Sequence, residues 1–236
     1  MYEPAAVLAA IDAHPAPVLL LCGAALLGNA VYYFESLRLG FRHRMHTMPL
    51  AGLYFFIPHD MSYVLLWHKW FVEYDHWFLK LFWVGLVLTS TAAWVFLWQF
   101  LRYGHKELLP QVSRPAFIAL VLSGLVLSSG VWIATKAVLV DDLYLFAFGL
   151  TAFWCAPFGM SLMLKRGSGV GQSRLMWLGF TAIPVFYWLA GVLYLPPFFR
   201  SPSWLALGAA ATLWGLANVL TVSRLPKPPA TGTQAA

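Results

Sequence analysis

The chain of 236 residues is 61% hydrophobic and 17% aromatic, and only 10% of it is charged, against about a quarter in an average soluble domain. Several apolar runs reach the roughly 20 residues that a membrane-crossing helix needs, which excludes a water-soluble globule and marks a polytopic membrane protein. The net charge of +6 comes with no basic cluster interleaved with aromatics, so a nucleic-acid partner is excluded as well.

The N-terminal stretch MYEPAAVLAAIDAHPAP holds Glu3 and Asp12 but no Lys or Arg, so no cleaved signal peptide is expected. Seven helices are predicted: Ala16–Glu35, Met48–Phe71, Trp77–Leu101, Pro115–Lys136, Leu143–Leu164, Leu175–Leu195 and Trp204–Val222. Together they make one all-α, seven-helix transmembrane domain over residues 1–223. Pro115 suits a first helical turn, where its missing donor is not needed. Pro58, Pro157 and Pro184 fall inside helices and are expected to kink them. Cys22 and Cys155 are too isolated for a disulfide framework and read as packing residues. The loop Gly167-Ser168-Gly169-Val170-Gly171 follows no strand, so it is not a phosphate-cradling turn. Residues 224–236 read as a disordered cytoplasmic tail.

Basic residues fix the expected orientation. Arg38, Arg42, Arg44, Arg102, Lys106, Arg114, Lys165, Arg166, Arg174, Arg224 and Lys227 all fall on one side of the predicted helices. The positive-inside rule makes that side cytoplasmic, giving N-out and C-in. Trp67, Trp70, Tyr74 and Trp77 then form an aromatic belt at the outer interface. Acids divide the other way: Glu3, Asp12, Glu73, Asp75, Asp141 and Asp142 lie outside, Glu35 and Glu107 inside, and none follows Asp142.

The second predicted helix carries Pro58-His59-Asp60 near its middle. A charged group at that depth costs at least ~2.5–3.5 kcal/mol, so an acid there signals function. Phe56, Asp60, Tyr63 and Trp67 share one helical face, with His59 beside them. One alternative is that Asp60 and His59 serve only as interhelical glue. The other is an acid in an aromatic cavity, lined by Tyr54, Phe56, Tyr63, Trp67, Trp94, Trp132, Phe153, Trp154, Tyr187 and Trp188. Burial there favours the protonated carboxyl, able to donate a proton, and aromatic faces stabilise a developing cation. A second carboxylate has to come from the first two-thirds of the chain. Asp142 and Asp75 are the candidates, ~15–20 Å from Asp60 by helical rise. Asp141-Asp142 reads equally as a solvated loop or a helix cap.

Other chemistries fit less well. A retinal protein needs a lysine in the last helix, and Trp204–Val222 has none. Clustered histidines for a metal are lacking, since only His59 is deep. A two-histidine haem fails likewise, although His59 alone remains available as a single ligand. A magnesium-diphosphate site needs two aspartate-rich loops, and there is one Asp-Asp pair. No metal and no cofactor are expected.

The segment Arg44–Asp60, RMHTMPLAGLYFFIPHD, resembles the integral-membrane terpene cyclases of fungal meroterpenoid and indole-diterpene pathways and their bacterial relatives. Met48, Pro49, Leu50 and Leu53 match that family's M-P-L opening. Phe56 stands at the family's Asn, His59 at its Trp and Asp60 at its Glu. The family's second acid, late in the chain, has no counterpart, and Asn218 is the nearest polar residue. The resemblance implies a cofactor-independent cyclase or isomerase that protonates a polyprenyl olefin or epoxide. Asp60 would be its acid, and His59 a tuner or relay. The competing expectation is a small proton-coupled transporter or lipid-ligand-binding membrane sensor in which Asp60 titrates. Either way the partners are a lipophilic small molecule and membrane lipids, and the location is a bacterial inner or plasma membrane.

Overall fold

The computed structural model describes residues 1–226, which fold into helices joined by short turns. In chain order they are α1 (Pro4–Ala13), α2 (Pro15–His43), α3 (Leu50–Val64), α4 (Trp77–Leu108), α5 (Arg114–Val138), α6 (Leu145–Arg166), α7 (Arg174–Tyr194) and α8 (Pro202–Arg224). Six of them, all but α1 and α3, are long and apolar enough to cross a membrane. Leu88, Val126, Leu127, Val131 and Leu213 are exposed on the outer faces of the bundle, as lipid-facing residues are. The protein is a helical, multi-pass membrane protein. The expected tail begins within α8, at Arg224; from residue 227 on it lies outside the described residues.

Several predicted limits shift for identifiable reasons. The expected helix Met48–Phe71 is an α-helix only over Leu50–Val64, 15 residues, or ~22 Å against a ~30 Å hydrocarbon core. At its end the Trp83 indole N–H donates to the Val64 carbonyl at 2.9 Å. Beyond, Lys69–Glu73 winds into a π turn, where the Trp70 indole donates to the Asp142 carbonyl at 2.8 Å and Lys69 pairs with Asp142 at 2.8 Å. α2 runs on past Glu35, where Arg38 grips the Glu35 carboxylate at 2.7 and 2.8 Å. α1, not expected from sequence, exists because Val7, Leu8 and Ile11 recur along one face and are buried. Ser113, Ser173 and Ser201 accept backbone N–H groups at the starts of α5, α7 and α8. Pro58, Pro157 and Pro184 sit within helices.

The two ends of the bundle differ. At one end Arg166 bonds the Glu107 carboxylate through two nitrogens at 3.0 Å and the His46 carbonyl at 2.8 Å, while Ser173 donates to Glu35 at 2.9 Å. At the other, Asp12 accepts from the Trp77 indole at 2.9 Å and lies 3.1 Å from His76. The segment Leu50–Glu73 joins the two ends, starting beside His46 and finishing against Asp142.

Side contacts are tightest between α2 and α7. A Cβ added at Gly28 would lie 2.6 Å from the Gly179 carbonyl oxygen, and one at Gly179 would lie 2.8 Å from that of Gly28. Only paired glycines let the two backbones approach so closely. Trp188 and Trp177 fill the equivalent spaces over Gly208 and Gly159, fastening α7 to α8 and α6. Between α2 and α4 the helices meet through Tyr33–Phe96 and Phe41–Trp98 toward the His46 end. Nearer the Asp12 end, Gly23 and Gly85 leave a gap.

Candidate intramembrane site

α2, α3, α4, α6 and α7 enclose a cavity of about 160 Å³ whose walls include Phe56, Asp60, Phe82, Tyr144, Phe148 and Tyr187. The wall is almost entirely apolar and aromatic. Among the described residues Asp60 is its one carboxylate, and it is buried.

α3 brings Asp60 to the wall and keeps His59 just behind it. Although adjacent on the helix, the two touch: His59 Nδ1 lies 2.8 Å from Asp60 Oδ1. The Tyr144 hydroxyl donates to the same oxygen and lies 3.0 Å from His59 Nδ1. The other imidazole nitrogen, Nε2, is 3.1 Å from Thr151 Oγ1 and 3.2 Å from the Ala147 carbonyl. Both ring nitrogens are therefore engaged within the protein. Phe55 stacks on the imidazole at 5.1 Å and Trp132 meets it edge-on at 4.6 Å, so the ring is locked between aromatics. Asp60 Oδ1 is thus held by the protein, while Oδ2 has no partner among the described residues and faces the cavity.

Tyr144 reaches this position by an unusual route. It precedes the first turn of α6 in the left-handed region, at φ 68°, which a bulky residue adopts only when its surroundings hold it there. Those surroundings are the Tyr63 ring at 4.2 Å, Phe82 at 5.7 Å and the Asp60 carboxylate. Next to it, Asp141 is buried, accepting from the Tyr2 hydroxyl and, at 2.6 Å, from the Ala147 amide. Of the two roles open to the Asp141-Asp142 pair, Asp141 fills the capping one. Burial pushes its carboxyl up from the ordinary range, against the lowering pull of those hydrogen bonds.

The structure brings together only part of the expected lining. Phe56, Asp60 and Tyr187 reach the cavity, Tyr187 with its hydroxyl donating to the Leu145 carbonyl at 2.6 Å. His59, Tyr63 and Trp132 form the layer behind Asp60. Tyr54 instead ties α3 to α5, donating to the Val121 carbonyl at 3.0 Å. Trp188 donates to the Trp204 carbonyl at 2.7 Å and Asn218 to the Ala156 carbonyl at 2.8 Å, both fastening α8. Trp67, Trp94 and Trp154 are exposed on the outer surface, and Phe153 packs on Trp154 and Trp214. Neither further acid reaches the cavity. Asp75 lies exposed beside Lys80, whose hydrogen bond and then charge hold its carboxyl low, and the Asp142 carboxylate takes Lys69 at 2.8 Å and the Tyr74 hydroxyl at 3.1 Å.

Sequence reading missed Tyr144, Thr151 and three α2 residues that face the cavity, Asn29, Tyr32 and Tyr33. Asn29 was detectable: a polar side chain in mid-helix, one turn before a tyrosine pair, is the same kind of signal as Asp60. Comparison of the chain with protein-family models, with curated proteins and with solved structures returns no match.

Proposed function

We propose that the protein is a membrane-embedded, cofactor-independent acid catalyst that protonates an isoprenoid olefin or epoxide and guides the resulting carbocation to a cyclised or isomerised product. The observation that carries this reading is Asp60: a carboxyl anchored through Oδ1 by Tyr144 and His59, with Oδ2 turned to an apolar aromatic cavity. In the proton-loaded state His59 donates from Nδ1 to Asp60 Oδ1, with its Nε2 beside the Thr151 hydroxyl, and the acid proton sits on Oδ2. Transfer of that proton to a substrate alkene carbon or epoxide oxygen leaves a carboxylate already held by two donors, which lowers the cost of the separated charge. Phe56, Phe82, Phe148 and Tyr187 line the cavity, and aromatic rings there stabilise the cation. Loss of a proton from the final cation back to Oδ2 closes the cycle without net consumption. Tyr144 and His59 thereby take the supporting part that the sequence offered to Asp142 or Asp75.

We further read the segment Leu50–Glu73 as a seventh crossing, with N-out and C-in set by the basic loops, in a bacterial inner or plasma membrane. The test offers linear and epoxidised polyprenyl compounds to wild type and Asp60→Asn in lipid nanodiscs, with products read by mass spectrometry. A cyclised or isomerised product formed by wild type and absent with Asp60→Asn is the expected result. Ligand recovered unchanged from both proteins would overturn the reading in favour of a carrier or sensor.

A further inference from the structure

The cavity is too small for a whole polyprenyl chain, and its shape says where the remainder goes. At about 160 Å³ it compares with the ~150 Å³ cavity that accommodates a benzene ring, so it holds a head of roughly that size. The lining residues that are also exposed lie on one side. Leu26 is 49% exposed on α2 and Leu81 is 53% exposed on α4. Between them a Cβ on Gly23 would meet nothing within 4 Å, and one on Gly85 would meet only Leu26, at 3.7 Å. This gap opens through the lipid-facing wall of the bundle and not at either polar end.

Inside, two polar groups on the wall make no hydrogen bond to any described residue, the Asn29 amide and the Tyr33 hydroxyl. Asn29 is 9% exposed, lines the cavity, and its amide makes no hydrogen bond to any described residue. A buried amide left unpaired costs roughly 1–3 kcal/mol, so its place in a largely apolar wall, on the helix that carries the open side, points to a ligand that completes it. An amide both donates and accepts, which matches a hydroxyl, epoxide or carbonyl oxygen.

We infer that the site takes the oxygen-bearing head of a single-chain lipid through a side portal between α2 and α4, with Asn29 bonding the head oxygen and the tail left in the bilayer. This deepens the reading above, and its test measures binding, not turnover, so the two stand or fall separately. Tritiated farnesol is bound to the protein in nanodiscs by scintillation proximity, with farnesene, the hydrocarbon of equal length, as competitor. Gly85→Phe and Gly23→Trp fill the portal. Gly130→Trp, at an exposed α5 position where an added Cβ also meets nothing within 4 Å, is the control for a bulky residue facing lipid. The portal variants should weaken farnesol binding at least about tenfold while the control stays within about twofold. Asn29→Leu should weaken farnesol about three- to tenfold, the worth of one hydrogen bond, and leave farnesene unchanged. Portal variants that bind like Gly130→Trp would overturn the side route. Equal effects of Asn29→Leu on farnesol and farnesene, or none on either, would overturn the head contact.

Discussion

The two flanks of α2 are built on opposite terms. Toward α7 its backbone meets another backbone, glycine to glycine, with no room for a methyl group at Gly28 or Gly179. Toward α4 it also presents a glycine, Gly23, yet an added Cβ there meets nothing. In a bilayer, where lipid tails are as apolar as leucine, helices associate through close packing and hydrogen bonds and gain little from burial. The α2–α7 seam meets that condition along its length; the α2–α4 seam does so near the His46 end, through Gln99 donating to the Leu37 carbonyl at 3.3 Å and Tyr33 against Phe96. One residue type therefore serves two ends, and only the structure tells a glycine that admits a helix from one that leaves a space.

Filling each seam with a side chain should separate the two most strongly. Gly28→Leu or Gly179→Leu forces a side chain into backbone and should cost ~3 kcal/mol or more, seen as a large drop in melting temperature in detergent. Gly85→Phe should leave the melting temperature within about 2 °C. Similar losses in both would show that the seams are not different.

A second prediction concerns the wall that the loose seam exposes. Tyr144→Phe keeps the ring contacts with Tyr63 and Phe82 but removes one of the two donors to Asp60. Turnover should fall about 10²-fold with substrate binding little changed, as for loss of one preorganised donor. A fall in affinity with turnover preserved would make Tyr144 a packing residue.

At the opposite end of the bundle His46 is buried against Phe100 and Arg166. Burial first, and then the Arg166 charge, bring its imidazole down to about 4. The folded value lies below the unfolded one, so His46 contributes stability that is present above about pH 6.5 and lost as the pH falls toward 4. Between pH 7 and 5 that amounts to ~2 kcal/mol. His46→Phe, which keeps the ring against Phe100, should flatten that part of the stability-against-pH curve. An unchanged curve would remove His46 from the account.

The smallest effect belongs to the outer face. Trp94 is 44% exposed on α4, so Trp94→Ala should change stability by no more than about 0.5 kcal/mol and leave turnover within about twofold. A larger loss of turnover would extend the site beyond the cavity described.

What could be read from the sequence follows the range of the forces involved. Hydropathy is a local sum, so the six long helices were legible, and so was Asp60, because an acid in mid-helix is anomalous whatever its neighbours. The end of α3 was not, since it is set by the Trp83 indole and by Asp142, residues distant in the chain. Tyr144 was hidden for the same reason, a tyrosine beside a loop acid pair that a left-handed turn swings inward. Residue type suggested an aromatic lining, yet it carries no information on facing. Trp67, Trp94 and Trp154 look outward, while Phe82 and Phe148 look in. The contact between His59 and Asp60 was equally out of reach, because neighbours on a helix point about 100° apart and meet here through their side-chain rotamers.

The most direct measurement runs the wild-type protein in deuterated water with an epoxidised and a linear polyprenyl compound, beside Asp60→Asn. If Asp60 is the acid, wild type yields a cyclised or isomerised product that carries one deuterium at the protonated carbon, or a hydroxyl at the opened epoxide, and the variant yields no product. Product formed by Asp60→Asn at the wild-type rate would contradict it, because the proton would then come from a group other than Asp60.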